Sequence, residues 1–573
     1  MTGEVQKKWV YPSEVNEEVV VQLSKAINVN QFLSRLLVQR GIHEYEQSKQ
    51  FFRPTLDQLH DPFLMKDMDK AVERLNDALF KKEKVLIYGD YDVDGTTSVA
   101  LLYQFLRDHN HDTVSYYVPD RYDEGYGISQ RGIEWAVEHG FSLIIALDCG
   151  IKAYKNASLA KDQGIDLIIC DHHLPGDTLP DAYAILDPKR RDCTYPFDGL
   201  SGCGVGFKLL QAFCVQNTID QNDLYKYLDL VAVSIASDLV NIVDENRILC
   251  YYGLRKLTKE PSIGLKALKE TSGLKNKEVD VQSVVFGIGP RINAAGRIDH
   301  AHSAVRLLVS ENDLEAKALA GQINKNNNRR KDYDQEITKQ ALDSIEKLSL
   351  ETDKKSTVLF DKDWHKGVIG IVASRCIEKY YRPTIIMTES NGSATGSARS
   401  ISGFDIYEAI ASCSELLDQY GGHQFAAGLT LSMDNIEAFE KKFEEVVSQT
   451  ITEDSLTPKL HIDIEVPLSK VDFKFFNVLN QMGPFGPGNL EPVFSSSNLV
   501  MVGKPRVMKE KHLKFYVREV DSKRTFEVLG FNQAHHHDTL IQVENFCLAY
   551  HLQYTTYMGD KALQLNIKDI SFE

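Results

Sequence analysis

From Lys84 onward, short apolar runs that end in acidic residues alternate with helical stretches: KVLIYGD, TTSVALLYQFLRD, TVSYYV, SQRGIEWAVEHG, LIIALD, KNASLAKDQG and DLIICD. Runs of roughly four to six residues separated by helices predict a parallel sheet in an α/β lobe, because parallel strands need a crossover and that crossover is usually a helix. Active groups in such sheets gather at the carboxyl ends of the strands. The acids that close these runs are therefore the first candidates for function.

The densest of these run ends is YGDYDVDG at 88–95, where an apolar strand meets Asp90, Asp92 and Asp94 and then a glycine. Extended backbone places alternate side chains on one face, so the three carboxylates are expected to converge. Like charges held together raise one another's pKa unless a cation neutralises them. The D-x-D-x-D-G spacing also fits a calcium loop, but the acid required at loop position 12 would fall on Leu101, inside an apolar helix. A second run ends at Asp148 and a third at Asp171, His172 and His173. Singly, an aspartate after a strand reads as a cap and a histidine pair as a structural or surface feature. Their convergence on one sheet edge favours a metal site. Oxygen-rich donors with one imidazole suit Mn²⁺ or Mg²⁺ better than zinc. Asp238 lies in the apolar run VAVSIASDLV, so its charge must be paired or serve as a ligand.

Composition bounds the rest. A chain of 573 residues, 43% hydrophobic and 25% charged, can bury several cores. It contains no apolar run of about 18 residues, and MTGEVQKKWVYPSEV lacks the pattern of a signal peptide. Nine cysteines without a C-x-x-C pair indicate neither a zinc site nor a disulfide framework. A soluble, monomeric cytoplasmic protein with no membrane partner is expected. The net charge of −16 opposes a nucleic-acid role unless binding uses a local groove.

Five segments follow: helical at 1–80, the α/β lobe at 81–275, a linking region with a long polar helix at 276–347, a second α/β lobe at 348–455, and a strand-rich barrel at 456–573. The linking helix, around NKNNNRRKDYDQE, reads as a solvated connector without a strong apolar stripe. In the second lobe, GGHQFAAG at 421–428 brings Gly422 and His423, and GSARS at 396–400 brings Ser397 and Arg399, a combination suited to an anion; the glycine string reads equally as a tight turn entering a helix. Residues 504–524 carry eight Lys or Arg against three acids, with Phe515 and Tyr516 interleaved, and read either as a solvated strand face or as a strand-binding track.

GDYDVDG, LDCG, CDHH and ASD resemble, in order and spacing, the motifs of the DHH phosphoesterase family. The resemblance implies metal ligation by Asp92, Asp94, Asp148, His172 and Asp238, with Asp148 bridging two Mn²⁺, Mg²⁺ being the alternative ion. It implies that His173 faces the scissile phosphate while Asp90 and Asp171 orient ligands. The family often has a histidine four residues before the aspartate that matches Asp92; Tyr88 stands there, which implies that the two ion positions differ. GPRINAAGRIDHA, DWHKGVIGIVASR and MGPFGPGNLEPVF extend the resemblance, over nearly the whole chain, to the RecJ branch of that family.

That branch implies a lobe of the DHH type, a long helix, a DHH-associated lobe and an OB-fold closing around one strand. It implies 5′-to-3′ hydrolysis of single-stranded DNA to 5′-mononucleotides in recombination and repair, with a single-strand-binding protein and a RecQ-type helicase as partners. Arg291, Arg297, Ser397, Arg399, Gly422 and His423 would contact the substrate, and Lys504, Arg506, Lys514 and Tyr516 would track the strand along the barrel. Two alternatives stand beside it: a nanoRNase or small-nucleotide phosphatase of the same family, and a DNA-binding protein that has lost catalysis. Deleting residues from about 458 onward would separate the first alternative, since short substrates need no barrel.

Overall fold

The computed structural model describes residues 7–298, 300–351, 354–557 and 560–572. The chain divides into two compact units, one formed by Asn16–Asn327 with Asn477–Glu491, the other by the remaining described residues.

In the first unit, β1 (Val85–Gly89), β2 (Val114–Tyr117), β3 (Leu143–Leu147), β4 (Asp166–Cys170) and β5 (Ala184–Leu186) form a wholly parallel sheet in the order β2-β1-β3-β4-β5. β1 and β3 are buried on both faces, which is why they read as unbroken apolar runs. Val85 and Ile87 enter one core, Leu86 and Tyr88 the other. Between β1 and β3 the strand order reverses direction, and a crevice for ligands opens at such a switch. Four helices add their apolar side chains to the larger core: α1 (Val93–Asp108), α2 (Gly202–Asn217), α3 (Leu228–Ser237) and α4 (Asp244–Lys259).

The long helix α5 (Asp313–Glu351) begins in the first unit and ends in the second. It is not the featureless polar connector expected from its composition. Ile337, Ala341 and Ile345 form a buried i, i+4 stripe against α6 (Ile369–Lys379), and Arg375 grips the buried Asp334 with two nitrogens at 2.8 and 2.9 Å. So narrow a stripe is swamped by its polar neighbours in sequence.

The second unit holds β6 (Thr357–Phe360), β7 (Thr384–Ser390), β8 (Ser393–Arg399), β9 (Gln419–His423) and β10 (Ala426–Ser432), in the order β9-β10-β8-β7-β6 with only β6–β7 parallel. The glycine string is the β9–β10 hairpin, not a turn into a helix. At Gly422, φ is 147° and an added Cβ would lie 2.4 Å from the Ala426 carbonyl oxygen, so only glycine allows this close strand approach.

The barrel consists of β11 (Ile464–Glu465), β12 (Phe494–Met508), β13 (His512–Glu519), β14 (Phe526–Gly530), β15 (Phe546–Tyr557) and β16 (Asp560–Ser571). The pairing of β12 with β15 closes it and removes exposed edges. Near the amino terminus, where helix was expected, Lys8–Val10 pairs in parallel with Lys459–His461, and the Trp9 indole donates to Asp569 at 2.8 Å. Asn477–Glu491, which precedes β12 in sequence, belongs to the first unit.

Candidate metal centre

The carboxyl ends of β1, β3 and β4 meet at the switch point. His172 Nε2 lies 3.1 Å from an Asp148 oxygen, 3.6 Å from Asp238 and 3.7 Å from Asp94. Asp92 lies close enough for its carboxylate to repel that of Asp148. Both ring nitrogens of His172 are buried and make no hydrogen bond among the described residues, an arrangement costly for an imidazole unless a cation takes one of them. Asp94, His172 and Asp238 present atoms within 4.8 Å of one another, as do Asp148, His172 and His173. This donor set of carboxylates and one imidazole fits Mn²⁺ or Mg²⁺.

The carboxylates converge for a reason other than strand alternation. β1 ends at Gly89; Asp92 is the N-cap of α1, accepting from Gly95 N at 3.0 Å, and Asp94 sits in its first turn. A Cβ at Gly95 would lie 2.4 Å from the Asp90 carbonyl oxygen, so the helix can start here only on glycine. Asp94 is then held by groups from two other helices. The Gly202 and Cys203 amides at the start of α2 donate to its two oxygens at 2.6 and 2.8 Å, and Ser234 of α3 donates at 2.7 Å. A helix N-terminus and its dipole thus fix this carboxylate. Asp148 takes a left-handed conformation, φ 60°, which turns the chain out of β3, and Asp238 caps α3.

Asp171 lies beneath. It accepts from the amides of Ile151 and His172 and from His173 Nδ1, the last at 2.8 Å. Burial is the largest single influence and opposes ionisation, but the hydrogen bond and charge of His173 together with the backbone amides outweigh it and hold Asp171 down at about 2. Burial lowers His173, but the same bond and the charges of Asp171, Asp238 and Asp94 together raise it. Tyr126, which sequence reasoning passed over, donates to the Asp148 carbonyl at 2.9 Å and lies 3.3 Å from the His173 ring. Tyr88 points elsewhere: its hydroxyl donates to the Gly127 carbonyl at 3.1 Å and its ring stacks on Tyr117.

Burial first, and repulsion from neighbouring aspartates second, pushes Asp90 and Asp238 up to about 8 and raises Asp92 and Asp148. A carboxyl whose folded pKa exceeds its unfolded value contributes stability at low pH and loses it as pH rises through the folded value. Without a cation the protein should therefore lose stability between about pH 4 and about pH 8 through these groups. A bound cation replaces the proton. The rise in unfolding temperature on adding Mn²⁺ to chelator-treated protein should be larger at about pH 8 than at about pH 6. Scanning fluorimetry at both values checks this, and equal rises would contradict it.

The other expected substrate contacts fall in both units. Arg297, in the first, is tied to the loop beside the aspartates: Tyr122 donates to its carbonyl at 2.6 Å. Arg291 is engaged within the protein. It is buried, and its nitrogens donate to Gly287 O at 2.6 Å, Asn324 Oδ1 at 3.0 Å and Thr271 O at 3.2 Å, so it ties helices together. In the second unit one register row runs from Arg399 through Ala426 to His423, with Gly422 and Ser397 one row or two away. The Arg399 guanidinium donates to Ser397 Oγ at 3.1 Å and its neighbour's carbonyl at 2.8 Å, and no carboxylate pairs with it among the described residues. Burial pushes its pKa down. A half-buried guanidinium with no carboxylate partner has the chemistry to attract an anion.

On the barrel, Lys504 and Arg506 are exposed on β12 and Arg506 faces Lys514 across the ladder. Lys514 is paired with Glu527 at 2.7 Å and the Tyr516 hydroxyl donates to the same carboxylate, so the charge of this stretch is lower than its composition implied.

The DHH family N-terminal domain model matches residues 84–235, the DHHA1 domain model residues 353–449 and the RecJ OB domain model residues 462–569. The chain is 35% identical to the single-stranded-DNA-specific exonuclease RecJ of Bacillus subtilis, over 97% of this chain and 70% of that one. It is 34% identical to the RecJ of Salmonella typhimurium, over 94% and 95%. Among solved structures it is similar to Thermus thermophilus RecJ in complex with Mn²⁺, with a TM-score of 0.84, 26% identity and coverage of 98% of this chain and 79% of that one; a Mg²⁺ complex of the same protein gives 0.76. No described helix is long and apolar enough to cross a membrane. The chain belongs to the RecJ family of single-stranded-DNA-specific exonucleases, with its DHH, DHHA1 and OB domains in that order.

Proposed function

We propose that this chain is a Mn²⁺-dependent exonuclease that shortens single-stranded DNA from its 5′ end, releasing 5′-mononucleotides for recombination and repair. The observation that carries the reading is His172, buried with both nitrogens unpartnered amid Asp94, Asp148 and Asp238. Together with Asp92 these residues would hold two ions, with Asp148 shared. Such ions lower the pKa of the attacking water and neutralise charge on the phosphoryl oxygens.

The chain's own groups complete the site. Asp171 accepts from His173 Nδ1 and favours the protonated ring, whose Nε2–H would then donate to a phosphoryl oxygen as charge develops there. Asp90 steadies the neighbouring ligands. Arg399 and Ser397, with His423 and the Gly422 backbone beside them, receive the terminal 5′-phosphate, and Arg297 meets the strand's backbone near the aspartates. Lys504, Arg506 and Tyr516 supply charge and a stacking ring to the strand on the barrel, Lys514 less so because Glu527 neutralises it. The single-strand-binding protein and RecQ-type helicase rest on the family resemblance.

Incubation of 5′-end-labelled single strands with Mn²⁺ should release labelled mononucleotide first. First release from a 3′ label, or internal cuts, would sink the reading. A second prediction concerns the terminus. Arg399→Ala should lower kcat/KM on 5′-phosphorylated strands by about ten- to a hundredfold, the worth of a charged hydrogen bond, with little change on 5′-hydroxyl strands. An equal loss on both would remove Arg399 from phosphate recognition.

A further inference from the structure

Asp238 lies four residues before Ile242, in the loop between α3 and α4, and a distant turn closes over that loop. The Ile242 amide donates to the Pro487 carbonyl at 2.6 Å. Gly486 and Asn489 exchange backbone hydrogen bonds at 3.0 and 2.9 Å, so Gly486-Pro487-Gly488-Asn489 is a tight turn, with Gly488 at φ 73°. A Cβ on Gly488 would lie 3.1 Å from both Asn241 Cβ and Val243 Cγ1, and one on Gly486 would lie 2.4 Å from Ile242 Cδ1. The turn therefore touches the loop through bare backbone.

The turn is itself held firmly. Asn489 is buried; its amide donates to Met482 O and Pro484 O at 3.0 and 2.9 Å, and its oxygen accepts from Arg40 at 2.9 Å. Arg247 of α4 donates to Gly483 O at 2.8 Å while lying over the Phe51 ring. From the other side, Asn246 ties the loop by donating to the Asn241 carbonyl at 3.0 Å. These groups all belong to the first unit, although about 240 residues of sequence separate turn and loop.

We propose that the Gly486–Asn489 turn is a positioning element of the metal centre: it fixes the loop that sets Asp238, so that ion affinity depends on a segment supplied from beyond the DHHA1 domain. This rests on the reading of Asp238 as a metal ligand. Carboxylates that hold an ion must themselves be held, and loss of such support weakens metal affinity. Asp94 has three donors of its own, whereas Asp238 ends a helix and is followed at once by Leu239 in the left-handed region, φ 58°. Its place is set by what grips the loop beyond.

The test is a Mn²⁺ titration by calorimetry on the full chain, with folding followed by circular dichroism. Gly488→Ala should weaken binding by about tenfold or more. In an Asp238→Asn background the same change should add nothing, because the residue it acts through is gone. Wild-type affinity in Gly488→Ala, or losses that multiply in the double variant, would overturn the proposal. If Asp238→Asn itself binds Mn²⁺ as the wild type does, the ligand reading fails instead. Gly486→Ala, whose methyl meets side chains only, chiefly the movable tip of Ile242 with Val281 behind it, is the milder companion. In the unmodified protein Mn²⁺ should slow amide exchange in 483–491 as well as in 239–243, since coupling is reciprocal. Protection confined to the loop would also refute it.

Discussion

Asp148→Asn is expected to abolish Mn²⁺-dependent hydrolysis of single strands, by about three orders of magnitude or more, while leaving the protein folded. Asp148 is the carboxylate nearest to the His172 ring among Asp94, Asp148 and Asp238 and also stands beside Asp92, so it is in position to serve both halves of the cage. Loss of several kcal/mol of charge stabilisation corresponds to a loss of that size, at 1.4 kcal/mol per tenfold. The stability readout should move the other way. Four neighbours, Asp94, Asp92, Asp238 and Asp171, repel the Asp148 carboxylate in the metal-free protein. Asparagine carries no charge, so chelator-treated Asp148→Asn should unfold at a higher temperature than chelator-treated wild type near pH 8, and should gain little from Mn²⁺. Retained activity, or a lowered metal-free unfolding temperature, would show that Asp148 does not stand at the centre of an ion-dependent cage.

Asp148 and His172 were legible because polar groups at strand ends in a parallel sheet have one place to go, and Asp238 because a charge in an apolar run must be paired or ligating. What held them was not. Asp94 is gripped by two amides at the start of α2, and backbone amides leave no mark on composition; only the small residues of SGCGVGF hinted that another chain group came close. Carboxylate convergence was inferred from strand alternation, whereas Gly95 had already begun a helix. Arg291 reads from sequence as a substrate contact in a polar motif, whereas Gly287 O, Asn324 Oδ1 and Thr271 O, all of which accept from it, lie in segments the motif does not reveal. The turn at 486–489 was counted with the barrel because its neighbours in sequence are barrel strands. Its packing on Ile242 changes what a truncation can show. Deleting residues from about 458 onward would also remove this turn, so a loss of activity on short substrates would not by itself report on the barrel; the cut must keep 477–491.

The second large effect concerns a pair of charges that the metal centre does not use. Lys208 on α2 and Glu245 on α4 are fully buried and 2.9 Å apart. Glu245 also accepts from the His60 amide at 2.9 Å and from the Tyr195 hydroxyl, while Lys208 donates to the His60 carbonyl at 2.6 Å. Every hydrogen bond here joins segments far apart in sequence, and His60 brings in the amino-terminal helical stretch. Removing one partner strands the other charge in a low-dielectric core, so Glu245→Ala should destabilise the first unit by about 3–5 kcal/mol. The two units need not unfold together, so the measurement is the urea midpoint of the transition in which amides of α2 lose protection. Lys208→Met should be comparably harmful, yet Lys208→Met with Glu245→Leu should recover much of the loss, since an apolar pair leaves no unpaired charge. Additive losses would mean that the two residues act through separate contacts. Recovery would instead identify the pair as a device of specificity: α2 must present Gly202 and Cys203 to Asp94, and a buried ion pair tolerates only one register of α2 against α4.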